Sequence, residues 1–265
     1  MSEDTFISHL VELRDRLLRS LIAIGIVFAC LFPFASELYD VLAYPMMSTL
    51  PQGSKMIATG VITPFLIPVK IAVMVAFLVV LPYVLYQAWA FVAPGLYSHE
   101  KKLVLPLIVA STLLFVLGIA FCYFFVFGVV FDFVNKIAPK SISVAPDIEQ
   151  YLNFVLTMFL AFGVTFEVPI AVVILARMGV VSIEQLKGAR PYFIVGAFVV
   201  AAVVTPPDVI SQLLLAIPMC VLYELGIFFA KFVVREKEKA DTDYLPPSDA
   251  QIDAELDTID KKNSV

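Results

Sequence analysis

Charge is scarce in this 265-residue chain. Lys, Arg, Asp and Glu together supply 15% of it, whereas 61% is hydrophobic and the mean hydropathy is +0.94. That balance excludes an ordinary soluble domain, which carries a smaller apolar share and more charge. Histidine is also nearly absent: His9 and His99 are the only two, and neither has an evident nucleophile beside it. No GxxxxGK[ST] loop, HExxH helix or GxSxG elbow occurs, so nothing points to nucleotide hydrolysis, zinc proteolysis or acyl transfer. An enzyme is therefore not expected, and no cofactor, metal or nucleic-acid partner is either. The three cysteines, Cys30, Cys122 and Cys220, lie inside apolar runs without metal-ligand spacing and read as small core residues. An inverted internal repeat, the mark of many secondary transporters, is missing.

What the chain has instead is a succession of apolar runs, at residues 17–38, 68–92, 103–131, 151–176, 191–204 and 209–230. A helix needs about 20 residues to cross a hydrocarbon core ~30 Å thick. The runs are continuous rather than alternating, and only a helix satisfies its own backbone in lipid, so helices are expected and not barrel strands. The fold class is all-α, a polytopic membrane protein with six transmembrane helices, of which the last two are short. Residues 191–204, at 1.5 Å each, reach only roughly 21 Å. The final run is interrupted by Pro218 and meets Glu224. Such mismatch is relieved by bilayer thinning or a partner helix.

Six spans put both termini on one side. Arg14, Arg16, Arg19, Lys101, Lys102, Arg177, Lys187, Arg190, Lys231, Arg235, Lys237 and Lys239 fall at one set of helix ends, against Lys55, Lys70, Lys136 and Lys140 at the other. The positive-inside rule then makes both termini cytoplasmic. Residues 1–20 form an amphipathic lead-in, with Phe6, Leu10, Leu13 and Leu17 at helical spacing. The first run is too long for a signal-peptide core and is read as retained. Residues 17–232 make the membrane domain, and residues 233–265 a disordered cytoplasmic tail. From residue 235 onward that tail holds nine acids and five bases.

A few polar residues stand out against this background. Glu167 lies near the middle of the fourth run, where a carboxylate costs at least ~2.5 kcal/mol on insertion scales. It must face protein or water, or be protonated. Pro169 frees the carbonyl of Thr165 and suggests a kink beside it. Glu12 has two readings: an i,i+4 partner of Arg16, or a receptor group at the cytoplasmic mouth. Glu100, in the polar break at residues 94–102, either begins the third helix or joins Glu12 on the same face. Asp208 suits the N-cap of the last helix, and Thr205 and Gln212 flank that turn as interhelical glue or a docking patch.

Four segments together resemble the TatC family, the polytopic core of twin-arginine protein translocases. They are residues 9–14 (HLVELR), residues 91–101 (FVAPGLYSHEK), residues 166–169 (FEVP) and residues 205–208 (TPPD). The likeness runs from about residue 8 to residue 232 and leaves out the acidic tail. The resemblance implies a receptor for twin-arginine signal peptides of folded precursors, driven by the protonmotive force, in the cytoplasmic inner membrane. It implies that Glu12 and Glu100 help bind the paired arginines, with Leu10, Arg14, Phe91, Pro94 and Leu96 around them. It implies further that Glu167 faces the hollow of a curved helical wall. Thr205, Gln212 and Asp208 then mark where the single-span subunits TatA and TatB dock in a multimeric complex. Two other classes stay open on the residues alone: a proton-coupled solute carrier titrating Glu167, and a purely structural scaffold.

Overall fold

The computed structural model describes residues 3–47, 56–92, 104–137, 147–205 and 208–243. Among them there is no strand, only one isolated bridge between Ile57 and Asp147. The helices are α1 (Glu3–Leu31), α2 (Ala35–Met47), α3 (Thr63–Val92), α4 (Val104–Phe121), α5 (Phe127–Ile137), α6 (Ile148–Phe166), α7 (Val168–Arg177), α8 (Ile183–Gly188), α9 (Arg190–Val204) and α10 (Val209–Asp243). A 3-10 turn, Phe32–Phe34, joins α1 to α2 around Pro33, and a π turn, Cys122–Val126, joins α4 to α5. Among the described residues five stretches are long and apolar enough to span a membrane: Ile7–Tyr44, Thr63–Phe91, Leu105–Val134, Ile148–Arg177 and Val209–Val234, with Arg190–Val204 as a shorter apolar helix.

Packing follows chain order. α1 and α2 lie on α3, α4 on α6, and α10 on both α7 and α9. Phe127, Phe131, Phe159 and Phe162 build the main core with Tyr151, Val155 and Met158. The outward faces are apolar too: Leu113, Phe124, Tyr192 and Val203 are all largely exposed. Hydrocarbon is as apolar as leucine, so these faces carry no penalty there, and the helices are held by close packing and interhelical hydrogen bonds.

Gly118 shows that close packing. A Cβ built on it would stand 2.6 Å from the carbonyl oxygen of Phe162, so only hydrogen lets α4 approach the α6 backbone. Gly179, at φ +71°, ends α7 in a conformation that costs other residues strain, and the chain reverses there toward α8. Ser182 opens α8 with a capping box: its hydroxyl accepts from the Gln185 amide while the Gln185 side chain accepts from the Ser182 amide.

Two expectations are corrected. The last two helices are not both short: α9 has 15 residues but α10 has 35 and runs through Pro218. The proline removes one hydrogen bond, yet α10 packs along both α7 and α9, which holds the helix together. The helix also extends to Asp243, so the tail set at residues 233–265 starts as helix; residues 244–265 lie outside the described residues.

Polar contacts tie the end that joins α3 to α6. Lys70 donates to Glu149 Oε1 at 3.2 Å and to Asn153 Oδ1 at 3.1 Å, and the Thr63 hydroxyl donates to Glu149 Oε2 at 2.9 Å. Asp147 caps α6, accepting from the Glu149 and Gln150 amides, while the Thr59 hydroxyl donates to it at 2.5 Å. Tyr123 and Tyr151 hydroxyls donate to the Val41 and Leu42 carbonyls, fastening α2 to the same end.

The Thr59 hydroxyl, the Gln150 amide and neighbouring amides hold the Asp147 carboxyl below its ordinary value of 3.8, since they all favour the charged form. The stabilisation is present above 3.8 and lost as pH falls through the lower folded value. Hydrogen-exchange protection of the Glu149 and Gln150 amides, corrected for intrinsic rates, should fall over that acidic window, and Asp147→Ala should show the loss already at neutral pH. Gly118→Ala should destabilise the protein by about 1 to 3 kcal/mol through overpacking. Thermal unfolding of the purified protein checks this, and an unchanged midpoint would remove the close-approach argument.

Candidate functional site

The lead-in residues are helical and pack beside the end of α3. Glu12 Oε1 accepts from Arg16 twice, from Nη2 at 2.6 Å and from Nε at 2.9 Å. Arg16 Nη1 in turn donates to Gln87 Oε1 at 3.0 Å, which links α1 to α3 across 71 residues of sequence. Gln87 is buried at 5% exposure, so its amide oxygen needs this donor. One helical turn further along α3, Phe91 stacks on His9 with ring centroids 4.2 Å apart and planes 15° from parallel. His9 Nδ1 stands 4.0 Å from the other Glu12 oxygen, Oε2.

Both readings of Glu12 therefore meet in one geometry. The i,i+4 pair with Arg16 exists, and it occupies one oxygen. The side chain is still 42% exposed, and among the described residues Oε2 has only the distant imidazole beside it. Because Arg16 is itself held by Gln87, the carboxylate is fixed rather than free to rotate, and a docking guanidinium would lose less entropy. Leu10 and Leu13 are exposed on the same lead-in helix. Arg14 is spent on its neighbour, donating to Asp15 Oδ1 from Nε at 3.0 Å and Nη2 at 2.9 Å. Pro94, Leu96 and Glu100 lie outside the described residues.

Glu167 sits at the junction between α6 and α7, two residues before Pro169, and the expected kink coincides with a one-residue break there, although the Glu167 backbone stays in the helical region at φ −77° and ψ −15°. A chain of donors reaches it. The indole Nε1–H of Trp89 donates to Ser111 Oγ at 2.8 Å, and the Ser111 hydroxyl donates to Glu167 Oε2 at 2.7 Å. Three helices, α3, α4 and the α6–α7 break, thus share one polar thread. Glu167 Oε1 is buried and accepts no hydrogen bond among the described residues.

At the start of α10, Asp208 Oδ1 accepts from the Ser211 amide at 2.6 Å, a capping contact. The Thr205 hydroxyl is buried and donates back to the Ala201 carbonyl at 2.8 Å. Gln212 Nε2 donates to the Phe198 carbonyl at 3.3 Å, bridging α10 to α9. Beside them Ser211 is wholly buried, and its Oγ has no hydrogen-bond partner among the described residues.

Sequence reading did not find Gln87, Trp89, Ser111 or Ser211. Each is a polar group in an apolar run, a signal that a search for buried polar groups would have caught. Their partners are set by helix packing and carry no local pattern.

With this geometry in view, comparison with known proteins is direct. The family model for "Sec-independent protein translocase protein (TatC)" matches residues 8–218. The chain belongs to the TatC family. It is 53% identical over 234 residues to the Sec-independent protein translocase protein TatC of Escherichia coli K12, covering 88% of this chain and 91% of that one. It is 40% identical to the protein of the same name in Aquifex aeolicus, over 87% of this chain and 96% of that one. A solved crystal structure of "Twin Arginine Translocase Receptor- TatC" superposes with a TM-score of 0.75 at 40% identity, covering 85% of this chain and 99% of that one. TatC proteins are Sec-independent translocase components, a membrane protein-transport family and not a known family of catalysts. The resemblance carried by the four sequence segments and the whole-chain comparisons name the same family.

Ser111→Ala should strand two part-buried groups at once, the Trp89 N–H and Glu167 Oε2, at a cost of about 1 to 3 kcal/mol for a lost donor. Trp89 is the sole tryptophan, so its emission reads the thread directly. A shifted emission maximum and a lower unfolding midpoint are expected, and unchanged emission would mean that the thread does not form.

Proposed function

We propose that the chain is the signal-peptide receptor and core subunit of a twin-arginine translocase. It would export folded precursors across the cytoplasmic membrane using the protonmotive force. The observation that carries this reading is the half-exposed Glu12, fixed by Arg16 and Gln87, with one oxygen left toward the surface beside the stacked His9–Phe91 pair. A guanidinium can place two N–H groups on a carboxylate, which an ammonium cannot match. Glu100 is assigned as the second acid. The solved relative carries the word receptor in its own description.

In this reading α9 is the fifth of six spans, thinning the bilayer around its 15 residues, and both termini face the cytoplasm. The basic residues at one set of helix ends support that orientation. TatA and TatB dock where Thr205, Asp208 and Gln212 cluster, at the turn between α9 and α10. Glu167 is the intramembrane polar site facing the hollow of the helical wall.

Binding of a twin-arginine peptide to the purified protein tests the receptor reading. Glu12→Gln and Glu100→Gln should each weaken it about tenfold, as should replacing both peptide arginines by lysine, the scale of one charge-assisted hydrogen bond. Full binding by the double glutamine variant would remove both residues from the site.

A further inference from the structure

The short helix α9 leaves its first residue in an unusual place. Its 15 residues reach about 22 Å, less than the ~30 Å hydrocarbon thickness. Arg190, which begins it, therefore meets α10 below the end of that helix. Its Nη2 donates to Glu224 Oε2 at 2.6 Å, and Glu224 lies seven residues, or about 10 Å along the axis, before Lys231. These three line an open groove of about 530 Å³, whose remaining wall includes Val221, Leu225 and Phe228.

Three features of the groove ask for an anion. The Nε–H of Arg190 is buried yet makes no hydrogen bond among the described residues, so a donor there is unspent. Lys231 is exposed and has no ion pair among the described side chains. Glu224 is committed to Arg190 through Oε2, so the groove keeps one net positive charge. A fourth feature concerns the rest of the ligand. Val221, Leu225 and Phe228 are 54%, 43% and 52% exposed beside the cations, a surface that a free anion would leave uncovered.

We propose that this groove binds an anionic phospholipid, its phosphate held by Arg190 and Lys231 and an acyl chain lying on Val221, Leu225 and Phe228. Basic pockets between transmembrane helices are suited to such headgroups. The site also explains how a span too short for the bilayer is accommodated. A headgroup drawn inward at Arg190 thins the leaflet where α9 needs it. The proposal requires only that α9 and α10 lie in a bilayer, and it stands apart from the receptor reading.

Native mass spectrometry of the full-length protein in detergent, titrated with phosphatidylglycerol or phosphatidylethanolamine, tests it. Phosphatidylglycerol should bind at about fivefold lower concentration, the effect of one basic group near a lipid surface. Arg190→Gln and Lys231→Gln should each weaken it by about the same factor, whereas Lys136→Gln, on α5 and outside the groove, should not. Arg190→Gln leaves Glu224 unpaired and risks misfolding; Lys231→Gln, at an exposed position, then decides. Equal binding of the two lipids, unchanged binding by Lys231→Gln, or displacement of phosphatidylglycerol by millimolar inorganic phosphate would each overturn the proposal, the last by making it a free-anion site.

Discussion

Polar groups inside hydrocarbon have no water to bind, and that constraint organises this protein. Backbone amides meet it by forming helices. Side chains meet it by finding one another across helices, and the hydrogen bond from Ser111 to Glu167 is the clearest case. It places α4 against the α6–α7 break and, through the Trp89 indole, draws in α3. With little hydrophobic force between helices in lipid, such threads and the close approach at Gly118 set which helices are neighbours.

The same constraint shapes the two ends of the bundle. At one end Lys70, Glu149, Asn153 and Thr63 satisfy each other where α3 meets α6. At the other, Arg16 is clamped between Glu12 and the buried Gln87. Only in the second case is a carboxylate oxygen left, among the described residues, with a single distant neighbour, and the proposed receptor reading rests on that difference. An exposed carboxylate alone contributes on the order of 1 kcal/mol to a salt bridge. In the proposed receptor reading, Arg16 fixes that carboxylate and the His9–Phe91 stack flanks it, so that it can receive a guanidinium at a lower cost in entropy.

Glu167 and the α9–α10 hairpin extend the argument. A helix interruption exposes backbone groups and brings a carboxylate to membrane depth, an arrangement that lasts only where protein surrounds it. The short α9 instead passes its mismatch to the lipid, with Arg190 paired to Glu224 below the end of α10. One device keeps polarity inside the protein, and the other shares it with the bilayer.

The sequence by itself determined that the chain is helical and crosses the membrane, because apolar runs of that length have no other stable form in lipid. It also marked the break at Glu167, the Asp208 cap, the shortness of α9 and the family, each written in a few adjacent residues. Tertiary structure decided the rest. Whether Pro218 ends α10 depends on the helices that pack along it, and it does not end it. Gln87 belongs with Arg16, and Trp89 with Ser111 and Glu167, because helices distant in sequence were brought side by side. Glu12 could be read from the sequence as a helix pair or as a receptor group. The fold anchors Arg16 on Gln87 of α3, and since a carboxylate has two oxygens and Arg16 of its own helix takes only one, Oε2 is left without a hydrogen bond among the described residues.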